Sequence, residues 1–408
     1  MPQRRSPTSA WSALPAPTLP SESTDRKSGS RYGFFRQVDY LQLLALVFLL
    51  GTGLLFIRSI GEQIGTAEAA EFFTKQLQWL AAGCGIWLLG SLLNTRKTEF
   101  KVFVAILYVL ALILLALVPF FGVKVYGATR WLSLGGFRLQ PSELAKPVAA
   151  MALALLFSLE GLSGRTWTGM GVAALVIAMP FVLILREPDL GSAVILIPMF
   201  GAILFVAGIP WRRLLVLFLV LGCLSTLLIT NEVARFRPVL RDYQLDRIKT
   251  FLNPDSDRLY RGYNAYQARL AVGSGGFTGK GIGEGTQNQL GFLPQTVSNN
   301  DFIFSVIAEE TGFVGGTLLL FGYLLLLYSI FRTAWLTDDR WGRGFAVGIG
   351  TMLFCQMFIN MGMSLGVTPV TGLPLPLVSY GGSAIVCLMG PLGLLQSIYR
   401  HAVDEKTD

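Results

Sequence analysis

A single histidine among 408 residues removes the usual imidazole routes to proton transfer and metal ligation. That residue, His401, follows the last apolar run, so neither a Ser-His-Asp arrangement nor a histidine metal site can serve the opposite face of a membrane. Cysteine is scarce as well. Cys84, Cys223, Cys355 and Cys387 all fall inside apolar runs without CxxC spacing, which reads as small core residues and not as disulfides or metal ligands. Charged residues make up only 14% of the chain against 52% hydrophobic, a balance that excludes an ordinary soluble domain and indicates a polytopic membrane protein. The net charge of +8 does not carry a nucleic-acid partner. Much of the excess lies in the N-terminal tail and in short loops, where topology and anionic lipid account for it, and no nucleic-acid motif accompanies it.

What is abundant is apolar sequence in runs long enough to cross about 30 Å of hydrocarbon. Ten spans are expected, near 39–58, 76–93, 100–121, 143–159, 168–186, 190–208, 212–230, 302–332, 343–365 and 380–399. Arg96, Lys97, Lys101, Arg165, Arg212, Arg213, Arg340 and Arg343 fall in loops on the side shared by both termini, which the positive-inside rule makes the cytoplasm. The first 36 residues carry Arg4, Arg5, Arg26, Lys27, Arg31 and Arg36 among Ser and Pro, and lack the apolar h-region of a cleavable signal peptide. They are expected to form a disordered cytoplasmic tail, with residues 37–400 as the membrane domain and 401–408 as a short C-terminal tail. The opposite side receives segments 122–142, 186–191 and a long loop over 231–300, between the seventh and eighth spans.

Four polar constellations fall on that side. Asp301 ends a run of capping residue types, Ser298, Asn299 and Asn300, and reads equally as a helix N-cap and as a carboxylate base whose basicity is raised at an interface. Ser305 and Glu309 follow it on one helical stripe, about 12 Å deeper for Glu309, with Glu310 pointing to the far side; each glutamate is either a buried tie between helices or a direct participant. In YGATRWLSLGGFRLQPSELAKP, Arg130 and Trp131 read as an interfacial anchor or a phosphate fork. In the same stretch Ser142 is placed to cap a helix on which Glu143 and Lys146 pair at i,i+3. REPDLGS, from Arg186 to Ser192, makes a tight turn with Asp189 as the expected N-cap. From Asn360 to Ala384, dense Gly and Pro force irregular backbone, tolerated in a membrane only where it is buried in protein or lines a watery cavity. Gly312, Gly315 and Gly316 form a small-residue run that permits close helix contact.

DFIFSVIAEETG, QPSELAKP, EPDLGS, GKGIGEGTQNQLGFLP and PVTGLPLPLVSYGGS resemble, from about residue 37 onward, the signature segments of the SEDS family (shape, elongation, division, sporulation). The last of these is similar to the elongation-type, RodA-like branch. The resemblance implies an all-α, ten-span integral membrane glycosyltransferase that polymerises lipid II into glycan at the outer face of the plasma membrane. It also implies a class B penicillin-binding transpeptidase and elongation-complex membrane proteins as partners. Asp301 matches the family's essential loop aspartate, Arg130 and Trp131 its outer-loop pair, and Glu143 and Lys146 its polar pair. Ser379, in VSYGG, and Glu309, in AEETG, fall in its motifs and are candidate substrate contacts. The family often reads Pro-Glu-Ala-His-Thr-Asp before this helix. Here Pro294 is followed by Gln295, Thr296, Val297, Ser298, Asn299 and Asn300, so amides that only hydrogen-bond stand where an imidazole is usual.

The mechanism that follows is an inverting displacement. Asp301 takes the proton of an acceptor 4-hydroxyl, which attacks the anomeric carbon of the strand's terminal muramyl sugar, and undecaprenyl pyrophosphate leaves. Charge developing on that leaving group calls for Arg130, Lys146, Lys280 or a divalent cation, magnesium or manganese, although no dedicated metal cage is evident. The glycines of the 231–300 loop supply turns and mobility for a lid. Two other classes remain open: a flippase or transporter of lipid-linked precursors, whose polar groups should cluster at the midplane, and a non-catalytic scaffold for the transpeptidase, kept open by the missing His-Thr pair.

Overall fold

The computed structural model describes residues 37–125, 128–135, 137–159, 166–187, 189–216, the single positions 219, 222, 247, 250 and 251, and 262–407. The expected tail, residues 1–36, lies outside the described residues. In chain order the elements are α1 (Tyr40–Ile64), α2 (Ala67–Leu92), α3 (Thr98–Phe121), β1 (Val123–Val125), β2 (Ala128–Leu134), β3 (Phe137–Leu139), α4 (Pro141–Ser158), α5 (Trp167–Arg186) and α6 (Leu190–Val206). Then follow α7 (Tyr263–Ser274), α8 (Thr286–Gln289), α9 (Gln295–Ser298), α10 (Ile303–Leu336), α11 (Arg340–Leu365) and α12 (Gly382–Thr407). The architecture is helical, as expected, apart from a three-stranded antiparallel sheet in the order β1-β2-β3 that pairs Val123 with Trp131 and Leu132 with Leu139.

Among the described residues six helices are long and apolar enough to cross a membrane: α1, α3, α5, α10, α11 and α12. Helix α6 is apolar but shorter. Helices α2 and α4 occupy the sites of two further expected spans, and their polar residues, such as Gln76 in α2 and Glu143 and Lys146 in α4, are buried against neighbours. The expected span 212–230 lies largely outside the described residues, so the described residues give six helices of membrane-spanning length and apolarity and one shorter apolar helix, not the ten spans expected.

Local chemistry sets the helix ends. Asp39 caps α1 by accepting from the Leu41 and Gln42 amides, and Asp339 does the same for α11 at Trp341 and Gly342. The first and last described residues share one end of the bundle. There Asp39 accepts from Ser329 Oγ at 2.7 Å near the end of α10, and Gln37 donates to Asp404 at the end of α12. Asp301, just before α10, therefore stands at the opposite end.

Helix α10 is broken. Gly312 adopts φ 66° and ψ −160°, a conformation open essentially to glycine, so the expected small-residue contact at Gly312 is instead a kink. The backbone groups freed there pair with the preceding loop: Lys280 N–H donates to the Glu309 carbonyl at 3.1 Å, and Gly281 N–H to the Glu310 carbonyl at 3.0 Å. Phe313 N–H donates to the Gly276 carbonyl at 2.9 Å, and Val314 N–H to the Phe277 carbonyl at 3.1 Å. The 313–336 segment alone measures about 36 Å at 1.5 Å per residue, enough for the hydrocarbon. Glu309 and Glu310 therefore belong to a short segment at the Asp301 end and not to the middle of a span.

Candidate active site

Asp301 does not cap α10. The N-cap is Phe302, with no side-chain capping bond, and the Asp301 carboxylate turns instead to the 366–381 loop. A Cβ built on Gly372 (φ +76°) would lie 3.5 Å from Asp301 Oδ2 and 3.8 Å from an Arg247 guanidinium nitrogen, so both side chains abut that glycine. The Asp301 backbone is pinned from α11, where the buried Asn360 amide donates to the Asp301 carbonyl at 2.9 Å and to the Leu373 carbonyl at 2.7 Å. Arg247 donates to the Thr371 carbonyl at 2.8 Å. Burial pushes the Asp301 carboxyl up to about 6, with Arg247 and then Arg130 pulling it down and Asp189 pushing it up. A carboxylate so placed is a base near neutrality, ionised at pH 7 and basic enough to accept a hydroxyl proton in a transition state.

Arg130 comes from β2 and is held by the turn between α5 and α6. Its Nε donates to the Glu187 carbonyl at 3.2 Å, and its guanidinium lies 3.8 Å from Asp189. Asp189 is the N-cap of α6, as expected, accepting from Ser192 N–H; it also accepts from Ser142 Oγ at 3.0 Å and the Gln140 amide at 3.3 Å. Ser142 is thus committed to Asp189, and the N-cap of α4 is Gln140, not Ser142. Burial alone would raise the Asp189 carboxyl, but Arg130, Ser192 and Lys146 outweigh it and hold it below the usual carboxylate range. Its neighbour Glu187 goes the other way: burial, aided by Asp189 and only partly offset by Arg130, pushes it up to about 9, and both its carboxyl oxygens lack a hydrogen-bond partner. Trp131 lies beside Arg130 in β2, half-buried.

Glu143 and Lys146 pair at 2.7 Å, with Lys146 only 1% exposed. They line a cavity of about 20 Å³ with Gln356, Ser379 and residues 374–377, room for about one water. Lys146 is paired with Glu143 and also acts electrostatically on Asp189. The Ser379 hydroxyl donates to the Asn300 carbonyl and accepts from Leu375 N–H, clamping the loop to the residue before Asp301. Leu377, next to that clamp, is the one described non-glycine residue with positive φ, at 67°.

Lys280, expected near the leaving group, pairs instead with fully buried Glu309 at 2.6 Å. The same carboxylate oxygen accepts from the Thr286 and Gln287 amides and the Thr286 hydroxyl. Glu310 takes Ser59 and Gln63 of α1 and the Gly283 amide. The glutamates thus fasten the glycine-rich loop to the break in α10, which is the tie reading. Asn299, at the position of the usual histidine, has a buried side-chain amide with no hydrogen-bond partner. Among the described residues no group of three or more His, Cys, Asp or Glu is placed to hold a metal ion, so the donor set for the divalent cation considered from the sequence is not assembled there.

Sequence reasoning missed Arg247 and Glu187 as members of the site. A buried Asn in a membrane helix is itself a signal, so Asn360 was open to detection as more than the start of a Gly/Pro-rich segment. Arg247 carried no such signal, because nothing local distinguishes one arginine in a polar loop.

Fold and site together define a multi-pass helical membrane protein with a carboxylate and two arginines gathered at one end of its bundle. The FtsW/RodA/SpoVE family, described as cell cycle proteins, matches residues 39–404. The chain belongs to this family, the SEDS proteins. It is 38% identical over 365 residues to the peptidoglycan glycosyltransferase MrdB of Escherichia coli (strain K12), covering 88% of this chain and 92% of that one. It is similar in structure to a chain of a peptidoglycan synthase complex described as coordinating polymerization and crosslinking (TM-score 0.74, 31% identity, 90% of this chain and 98% of that one). It is similar also to the Thermus thermophilus rod shape determining protein RodA (TM-score 0.63, 29% identity, 89% and 97% covered).

Proposed function

We propose that this chain is a peptidoglycan glycosyltransferase that polymerises lipid II at the outer face of the plasma membrane, with both termini in the cytoplasm and a class B penicillin-binding protein as partner. The observation that carries the reading is the Asp301 carboxylate, half-buried against Gly372 beside Arg247 and within the electrostatic reach of Arg130, in a chain of this family. Asp301 removes the proton of the acceptor 4-hydroxyl as its oxygen attacks the anomeric carbon, inverting it, and the C–O bond to undecaprenyl pyrophosphate breaks. Arg130, fixed by Asp189 and the Glu187 carbonyl, faces the charge that develops on the departing diphosphate. In this scheme Asp301 stands alone as base, and Asn299 and Asn300 hold the loop through their backbone carbonyls, which accept from Tyr380 N–H and Ser379 Oγ.

The polar residues gather at one end of the bundle, which supports one-sided chemistry over alternating access. The test is polymerisation of purified lipid II by the reconstituted protein with its transpeptidase. Long glycan from wild type and a loss of at least about a hundredfold in Asp301→Asn supports the base assignment. Equal products from both would remove Asp301 from the chemistry, and no product from a folded, partner-bound wild type would favour a scaffold.

A further inference from the structure

The base at Asp301 is flanked by a second arginine that the mechanism above does not use. Arg247 lies before α7, remote in sequence from Asp301, yet its guanidinium and the Asp301 carboxylate both lie beside Gly372. Both of its terminal nitrogens lie 3.8–3.9 Å from the position a Gly372 Cβ would take, and one of them donates to the Thr371 carbonyl at 2.8 Å. We infer that Arg247 is a positioning residue for Asp301: anchored on the Thr371 carbonyl, it holds the loop at Gly372 and its own positive charge beside the carboxylate. The inference rests on the glycosyltransferase reading of the site.

Among the described residues, the charged groups that act on Asp301 come from separate elements. Arg247 arrives from the loop, Arg130 from β2 and Asp189 from the start of α6, while α11 contributes the neutral Asn360 to the backbone. Of these, Arg247 exerts the largest pull towards the ionised form. Arg130 is drawn towards Asp189 and the Glu187 carbonyl, so its charge is shared. A planar guanidinium suits the task better than an ammonium, because one nitrogen can hold a backbone carbonyl while the other faces a carboxylate. Glycine at 372 suits the φ of +76° that the loop adopts between these side chains, a conformation unfavourable for other residues.

The test compares wild type, Arg247→Gln and Arg247→Lys, each as the full chain with its transpeptidase, in lipid II polymerisation across pH 5 to 9. In parallel, Asp301 is labelled with a carbodiimide, which reacts with the protonated carboxyl, and scored by mass spectrometry against pH. Expected for Arg247→Gln is an acid limb of kcat/KM and a labelling midpoint both moved up by roughly one unit. Activity is then lost mainly at low pH, and Arg247→Lys falls between the two. A uniform loss at every pH with both midpoints unmoved would overturn the inference and make Arg247 a structural or substrate-contacting residue. If Asp301→Asn still polymerises lipid II, the base assignment fails, and the labelling midpoint reports on Arg247 independently of that failure.

Discussion

A Cβ placed on Gly312 would lie 2.3 Å from the backbone nitrogen of Gly279. The break in α10 and the glycine-rich loop are thus built against each other, and the loop supplies the hydrogen bonds the helix gives up. Gly312→Ala combines a disallowed conformation with a backbone clash and should cost about 3 kcal/mol or more. Thermal unfolding in detergent checks it, and a variant as stable as wild type would mean the break is not held as described.

The tie between Lys280 and Glu309 joins the same loop to α10. Lys280→Met leaves a carboxylate of 0% exposure without its cation and should lower stability by about 3 kcal/mol. Adding Glu309→Gln removes the stranded charge and should recover at least half of the loss. Polymerisation should return with stability in the double variant. A stable double variant without activity would put Lys280 back at the leaving group.

Activity should follow the ionisation of Asp301. Its carboxyl stands at about 6, above the ordinary value, and the base works as the carboxylate. Polymerisation is therefore full above that pH and falls about tenfold per unit below it. A rate independent of pH down to 4.5 would separate the rate-limiting step from this proton.

Glu187 offers a stability readout at the same site. Its folded value of about 9 is raised above the ordinary 4.5, so its contribution is fully present below pH 4.5 and is lost as pH rises towards 9. Glu187→Gln imitates the neutral acid and should raise the Tm at pH 8 while flattening its decline between pH 5 and 9. Asp189→Asn should do the reverse at neutral pH, because it removes the carboxylate that Arg130 faces. A Glu187→Gln protein with wild-type pH dependence would show that Glu187 is ionised in the fold.

The sequence alone determined the membrane class and most of the helices, because apolar run length is a local property set by the dimensions of a bilayer, and it paired Glu143 with Lys146, because i,i+3 spacing is set by the dimensions of a helix; the Asp301 and Arg130 motifs were legible only through their resemblance to the SEDS segments. It also fixed Asp189 as a cap, since a short acid before an apolar run needs only its own next three residues. The tertiary structure decided which polar groups meet. Asp301 and Arg247 are more than fifty residues apart, and no pattern along the chain states that they close over Gly372. The same holds for Lys280, whose partner Glu309 is reached only because Gly312 breaks α10 and lets the loop fold back on it. Desolvation completes the division. A carboxyl's basicity depends on what surrounds it, so Glu187 and Asp189, two residues apart, are pushed in opposite directions by the fold they share.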